Sequence, residues 1–178
     1  MSTRKGTGVR MEELLEKAIE KAAVINPASA KEVGVGAVKF FDLKHAPETS
    51  YVFDWDQALR LEGNSGPYLQ YVVVRGRSLL DKAGEGIESD VGVDEINEDE
   101  LRVMRWIYRF PEVVEEAGRT FSPNLLAEYL LELAKRFNGF YNRHRVIEAE
   151  SPELRMYRLL VTAAVVQVIG NGLELLGI

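Results

Sequence analysis

Two segments of this 178-residue chain interleave aromatic and basic side chains at helical spacing. In the first, Tyr68-Leu69-Gln70-Tyr71-Val72-Val73-Val74-Arg75-Gly76-Arg77, residues Tyr68, Tyr71 and Arg75 recur at steps of three and four. On a helix that spacing makes one face with two rings and a guanidinium. Aromatic rings stack on a nucleobase of any identity, and arginine contacts a phosphate or a base edge, which is how single-stranded RNA loops are recognised. The second segment, Phe137 to Arg145, sets Asn138 and Tyr141 on a stripe beside the apolar one. Asn can donate to and accept from a base edge, Tyr can stack, and Arg143 and Arg145 add charge for phosphates. Each pattern has a structural reading as well. The tyrosines would pack with their phenol tips in water and Arg75 would lie on the surface, while Phe137 and Phe140 continue the apolar stripe Leu126, Tyr129, Leu130, Leu133.

Other chemistries are poorly supplied. The chain has no cysteine, which removes disulfides, thiolate nucleophiles and cysteine-ligated metals, and its two histidines, His45 and His144, lie far apart in sequence. No metal site is expected. Glu12, Glu13, Glu115 and Glu116 read as solvated faces, and no Ser, His and Asp arrangement points to nucleophilic catalysis. The glycines form neither a phosphate-binding G-x-x-x-x-G-K-[ST] loop nor a dinucleotide G-x-G-x-x-G turn. A net charge of −6 argues against a polyanionic partner until its distribution is considered. Eight acids and no base fall between Gly84 and Leu101, and without them the balance is +2. Lys135, Arg136, Arg143 and Arg145 form a run without an acid. The N-terminus lacks the apolar core of a signal peptide, and Leu159 to Ile169 is interrupted by Thr162 and Gln167. A soluble, cytoplasmic protein is expected, with neither DNA nor a membrane as a partner.

The elements that must position these residues read as helices throughout. Apolar residues recur at three and four, strand-like alternation is short and rare, and the expected fold is all-α. Met11, Leu14, Leu15, Ala18, Ile19 and Ala22 form one half-buried stripe, and a second helix is expected from about Ala28 to Leu43. Asp54 is expected to cap a short helix, with Gln57 completing a capping box and Gly63 just past its end. A helix from Pro67 to about Lys82 follows, in which tertiary packing must hold the β-branched Val72-Val73-Val74. The acidic stretch reads as an exposed, disordered loop before a helix starting near Asn97. Pro111 should break that helix, and Ser122-Pro123 and Ser151-Pro152 should each begin a long one.

Longer stretches resemble a known family. Ser2-Thr3-Arg4-Lys5-Gly6, followed by an apolar and acidic helix, resembles the end of the K-M-S-K-S-type loop of class I aminoacyl-tRNA synthetases, in the form common in arginyl-tRNA synthetases. Gly34 to Phe40, Val52 to Asp56, Glu62-Gly63-Asn64 and Pro67-Tyr68-Leu69-Gln70-Tyr71 resemble, in order, that enzyme's junction into its anticodon-binding domain. Phe137-Asn138-Gly139-Phe140-Tyr141 and Gly172 to Ile178 resemble the domain's last helices. The resemblance covers nearly the whole chain. It implies a helical bundle of the class I anticodon-binding (DALR) type over residues 63–178, with an acidic loop at about 84–100. Residues 1–62 would be a loop and stem-contact helices trailing the catalytic domain.

For function, the resemblance implies binding of the anticodon loop by the C-terminal part of an enzyme that joins arginine to its tRNA using ATP with magnesium. Its partners would be arginine tRNA and the same enzyme's catalytic domain. Ser2, Thr3, Arg4 and Lys5 match part of the ATP-side loop, which places positive charge where it develops on pyrophosphate. Tyr68, Tyr71, Arg75, Asn138 and Tyr141 match positions that meet the anticodon loop. Arg143-His144-Arg145 replaces a less basic family stretch, with Arg143 and Arg145 as added phosphate contacts. Nothing matches the family's H-I-G-H-type motif or its P-E-R-M-like tail after Ile178. The chain itself would hold no cofactor and would not aminoacylate alone. Against this stand a protein-interaction bundle that docks a partner through residues such as Leu15 and Phe40, and a paralogue with chemistry of its own.

Overall fold

The computed structural model describes residues 10–84, 86, 91–93 and 95–178. Among them every regular element is helical. Helix α1 (Met11–Ile25) leads through a 3-10 turn (Pro27–Ser29) into α2 (Ala30–Leu43), and the short α3 (Trp55–Ala58) precedes α4 (Gly66–Ala83). Helices α5 (Glu98–Tyr108), α6 (Phe110–Thr120), α7 (Pro123–Arg143) and α8 (Pro152–Leu175) complete the chain. The all-α expectation holds.

Local signals set most of the boundaries. The Ser65 hydroxyl accepts from the backbone N–H of Tyr68 at 3.1 Å, and Pro67 sits in the first turn of α4, where a missing N–H costs nothing. Gly84, at φ 67°, ends that helix in the left-handed region glycine adopts without a Cβ penalty. The Asn97 side chain accepts from the backbone of Glu100 while the Glu100 carboxylate accepts from the backbone of Asn97, both at 3.0 Å. This reciprocal capping box starts α5 close to the expected place. Arg109 separates α5 from α6, with Pro111 in the first turn of α6, and the Ser151 hydroxyl caps α8 through the N–H of Leu154 at 3.1 Å.

Several expectations need correction. The second helix proper begins at Ala30, because Pro27–Ser29 forms a separate 3-10 turn. Asp54 does cap α3, accepting from the N–H groups of Asp56 and Gln57, but the Gln57 side chain donates to the Asp54 carboxylate and not back to its backbone. That helix stops at Ala58, well short of Gly63. The Ser122 hydroxyl bonds the carbonyl of Thr120 and leaves the start of α7 without a side-chain cap. The acidic loop is shorter than expected, since Glu98, Asp99 and Glu100 form the first turn of α5 and Glu100 is fully buried. The disorder expected of its earlier part falls mainly on residues 85, 87–90 and 94, which lie outside the described residues.

Helices α4, α5, α7 and α8 enclose one apolar core, joined by Phe40 from α2. Leu69 and Val72 of α4, Leu130, Leu133 and Phe137 of α7, and Val165 and Ile169 of α8 lose essentially all contact with water. Of the β-branched run, Val72 and Val73 are buried and Val74 faces out, so packing on two of the three offsets their poor helix propensity. Small residues allow the closest approaches. A Cβ at Gly34 would meet the backbone of Ala18 at 2.7 Å where α1 crosses α2, and one at Gly76 would strike Val166 of α8. Helix α8 is long and apolar enough to cross a membrane, yet more than half of its apolar stretch is buried against the rest of the bundle. Helix α2 packs on α1, α4 and α7, so it contacts both parts of the chain that the sequence reading separates at residue 62.

Candidate nucleic-acid interface

The two aromatic and basic segments meet along the line where α4 packs beside α7. Tyr68 and Arg75 are seven residues apart, about two turns, and so share one side of α4. Asn138 and Tyr141 are one turn apart on α7. The contacts form two rungs. Asn138 Nδ2 donates to the Tyr68 phenol oxygen at 2.8 Å, and the guanidinium carbon of Arg75 lies 3.9 Å from the Tyr141 ring centroid, in cation–π contact. Burial raises the Tyr68 pKa, an effect the Asn138 hydrogen bond and the Arg75 charge partly offset, so the phenol stays neutral at physiological pH. Asn138 Oδ1 is buried without a hydrogen-bond partner. An unmatched buried acceptor carries a desolvation cost, and a donor brought to it would recover that cost.

Tyr71 is elsewhere. It is 48% exposed and lines a separate groove with Gln70, Val74, Arg77 and Ile178. The expected single face of Tyr68, Tyr71 and Arg75 is therefore split, with Tyr68 and Arg75 turned toward α7 and Tyr71 toward the C-terminus. One-turn spacing leaves Tyr68 and Tyr71 about 60° apart around the helix, enough to put them on opposite sides of a narrow interhelical contact.

The end of α7 extends the α4–α7 line. Tyr141, Asn142, Arg143 and Arg145 line one depression with Val146 and Ile147. Within residues 135–145 there is no acid, but acids from outside that run pair with its cations. Arg136 reaches Glu132 at 2.8 Å and lies over the Trp106 ring, and Arg145 reaches Glu148 at 3.0 Å. Arg143 forks onto Asp99 through Nε at 2.7 Å and Nη2 at 2.8 Å, while His144 Nε2 lies 3.0 Å from the same carboxylate. Hydrogen bonds from Arg143 and His144 hold the Asp99 carboxyl down at about 2. Arg145 is the most open of these cations, with 78% of its side chain exposed.

The support for this edge was not among the expected site residues. Arg158 of α8 donates through Nε to Glu100 at 2.8 Å and through Nη1 to the carbonyl of Arg145, also at 2.8 Å, and both side chains of the ion pair are buried. Glu100 meanwhile accepts from Asn97, so one buried carboxylate ties the start of α5 to α8 and, through Arg158, to the backbone beside Arg143. The Asn-x-x-Glu spacing at Asn97 was the one local signal for this role. A second tie joins α5 to α7, where Trp106 Nε1 donates to the Tyr129 carbonyl at 3.1 Å and the Tyr129 hydroxyl donates to that of Trp106 at 2.8 Å.

The ATP-side candidates Ser2, Thr3, Arg4 and Lys5 lie outside the described residues. Among the described residues no group of three or more His, Asp or Glu side chains is placed to hold a metal ion. No ATP-dependent step is assigned to the described residues.

The fold and its paired aromatic and basic rungs define an all-α bundle with a polar, π-rich seam between two core helices. The model of the DALR anticodon binding domain matches residues 69–178, and the chain belongs to that family. Arginine–tRNA ligases resemble the whole of it: that of Clostridium beijerinckii is 40% identical over 189 residues, covering 100% of this chain and 33% of the ligase. That of Pyrococcus abyssi is 40% identical over 195 residues, covering 99% of this chain and 31% of the ligase. The solved arginyl-tRNA synthetase of Thermus thermophilus superimposes with a TM-score of 0.90 at 33% identity, over 100% of this chain and 32% of that one. The chain thus spans about a third of the length of these relatives, the part that carries their anticodon-binding domain.

Proposed function

We propose that this chain binds the anticodon loop of arginine tRNA as part of an arginine–tRNA ligase. The convergence of Tyr68 with Asn138 and of Arg75 with Tyr141 carries this reading. Residues 63 or more apart in sequence place two phenols, a carboxamide with a free acceptor and a guanidinium along one seam, a combination that suits unstacked bases. In this reading a base stacks on the plane of the Arg75 guanidinium, whose other face already lies against the Tyr141 ring. The amino group of a base would satisfy Asn138 Oδ1 once local breathing admits it. Arg143 and Arg145 meet phosphates at the end of α7, and Tyr71 with Arg77 serves a flanking nucleotide from its own groove. The remainder of the ligase would supply the catalytic domain, with ATP and magnesium as its cofactors, and would meet α1, whose Met11, Val24 and Ile25 are exposed, together with α2. The cytoplasm is the proposed setting.

The test is binding of the purified chain to an arginine tRNA transcript and to the same transcript with its anticodon replaced, across a salt series. The reading predicts tighter binding of the native anticodon, with both affinities falling as salt rises. Equal affinity for the two transcripts at every salt concentration would contradict anticodon reading by this chain.

A further inference from the structure

Asp99 stands in the first turn of α5, yet none of its side-chain hydrogen bonds supports that helix. The cap is Asn97, and the reciprocal bond comes from Glu100. The Asp99 carboxylate instead reaches residues 44 and 45 positions away, accepting from Arg143 Nε and Nη2 at 2.7 and 2.8 Å and lying 3.0 Å from His144 Nε2. The Nε and Nη2 edge is one with which a guanidinium grips a phosphate in a two-point fork, so a carboxylate seated there blocks that mode of RNA contact. Side-chain exposure is 59% for Arg143 and 20% for Asp99, so the arginine stays within reach of a phosphate while this edge is filled. His144 is stacked against Phe140, at 5.6 Å between ring centroids, which holds its imidazole on the Asp99 side. The Arg145 side chain, by contrast, pairs at the surface with Glu148.

We propose that Asp99 is a built-in competitor for RNA phosphate: it fills the Arg143 fork and holds His144, so that RNA gains these contacts only by displacing the carboxylate. The proposal rests on the tRNA-binding reading and adds regulation to that site. Its consequence is a penalty: an RNA phosphate reaches the fork only at the cost of the Asp99–Arg143 pair, and while that pair stands the edge is already neutralised.

The experiment uses the full chain and its Asp99→Asn, Arg143→Ala and doubly substituted variants. The probes are an arginine tRNA transcript and a single-stranded oligouridine, titrated from low to moderate salt, with circular dichroism confirming helix content. Asn and Ser are both well tolerated near a helix N-terminus, so Asp99→Ser serves as a second variant. The expected result is that Asp99→Asn tightens both RNAs about three- to fivefold, the scale of one exposed ion pair. The slope of log affinity against log salt should steepen by about 0.7–0.9, the change for one more phosphate contact. Adding Arg143→Ala should erase that gain, so that the doubly substituted chain binds as Arg143→Ala alone does. A merely structural Asp99 would not tighten binding through Arg143. Unchanged or weaker binding by well-folded Asp99→Asn and Asp99→Ser, with binding by the unmodified chain intact, overturns the competitor alone. Absence of binding to both RNAs by every form overturns the tRNA reading and this proposal together.

Discussion

Asp99 and Glu100 are adjacent on α5, and each accepts a hydrogen bond from a distant arginine, yet the two pairs lie in different environments. Side-chain exposure is 5% for Arg158 and 1% for Glu100, against 59% for Arg143 and 20% for Asp99. The helical period sends the two neighbours in different directions, Glu100 into the core and Asp99 toward the end of α7. Burial then decides what each pair can do. Two charges out of water must keep their partners, because a lone buried charge is far more costly than a lone hydrogen bond. A pair at the surface exchanges its partner for water or another anion at little cost. The first fixes the frame of the site, and the second is open to competition.

The largest effect is expected from removing one member of the buried pair. Arg158→Met leaves the Glu100 charge in the core and should cost about 3–5 kcal/mol of stability in a urea titration, with both RNAs losing affinity only as the fold is lost. A cost below about 1 kcal/mol would mean the pair is not sealed. Next in size, Tyr141→Ala should weaken tRNA binding by about 1–3 kcal/mol while the unfolding midpoint changes much less than for Arg158→Met. A drop in stability with unchanged affinity would return Tyr141 to a packing role. Asn97→Ala removes the cap that orients both carboxylates and should cost about 1 kcal/mol, measured by thermal unfolding.

The subtlest difference is in acid. The Asp99 carboxyl is held at about 2, well below the unfolded value of roughly 3.9. A depressed carboxyl stabilises the fold fully above the unfolded value and loses that contribution as pH falls from about 4 through about 2. A carboxyl titration followed by NMR should place Asp99 near the lower figure, and Arg143→Gln should move it back up. An unshifted titration in the unmodified chain would show that the surface pair does not persist in solution.

These residues also show what could be read from sequence. Ser65, Asn97, Pro111 and Ser151 mark helix boundaries through interactions within a few residues, and the stripe from Leu126 to Phe140 marks its own buried face by period alone. The candidate site was legible by residue type in one respect, that Tyr68, Arg75, Asn138 and Tyr141 come together. Its pairing was not, because which side of α4 faces α7 depends on packing among several helices, and that packing leaves Tyr71 on another surface. The acids that neutralise the basic run were equally hidden. Asp99 and Glu100 read as the last acids of one exposed run entering a helix until their partners, 44 and 58 positions on, are brought to them by the bundle.

In the proposed complex RNA is held along the seam between α4 and α7. Backbone amide resonances followed as an RNA hairpin carrying the arginine anticodon loop is added to the labelled chain would locate it. The largest shifts are expected at residues 68–75 and 138–145, with α1 little affected. Shifts concentrated on α1 and α2 with an unperturbed seam would contradict this placement and would move the binding surface to the face here assigned to the rest of the ligase.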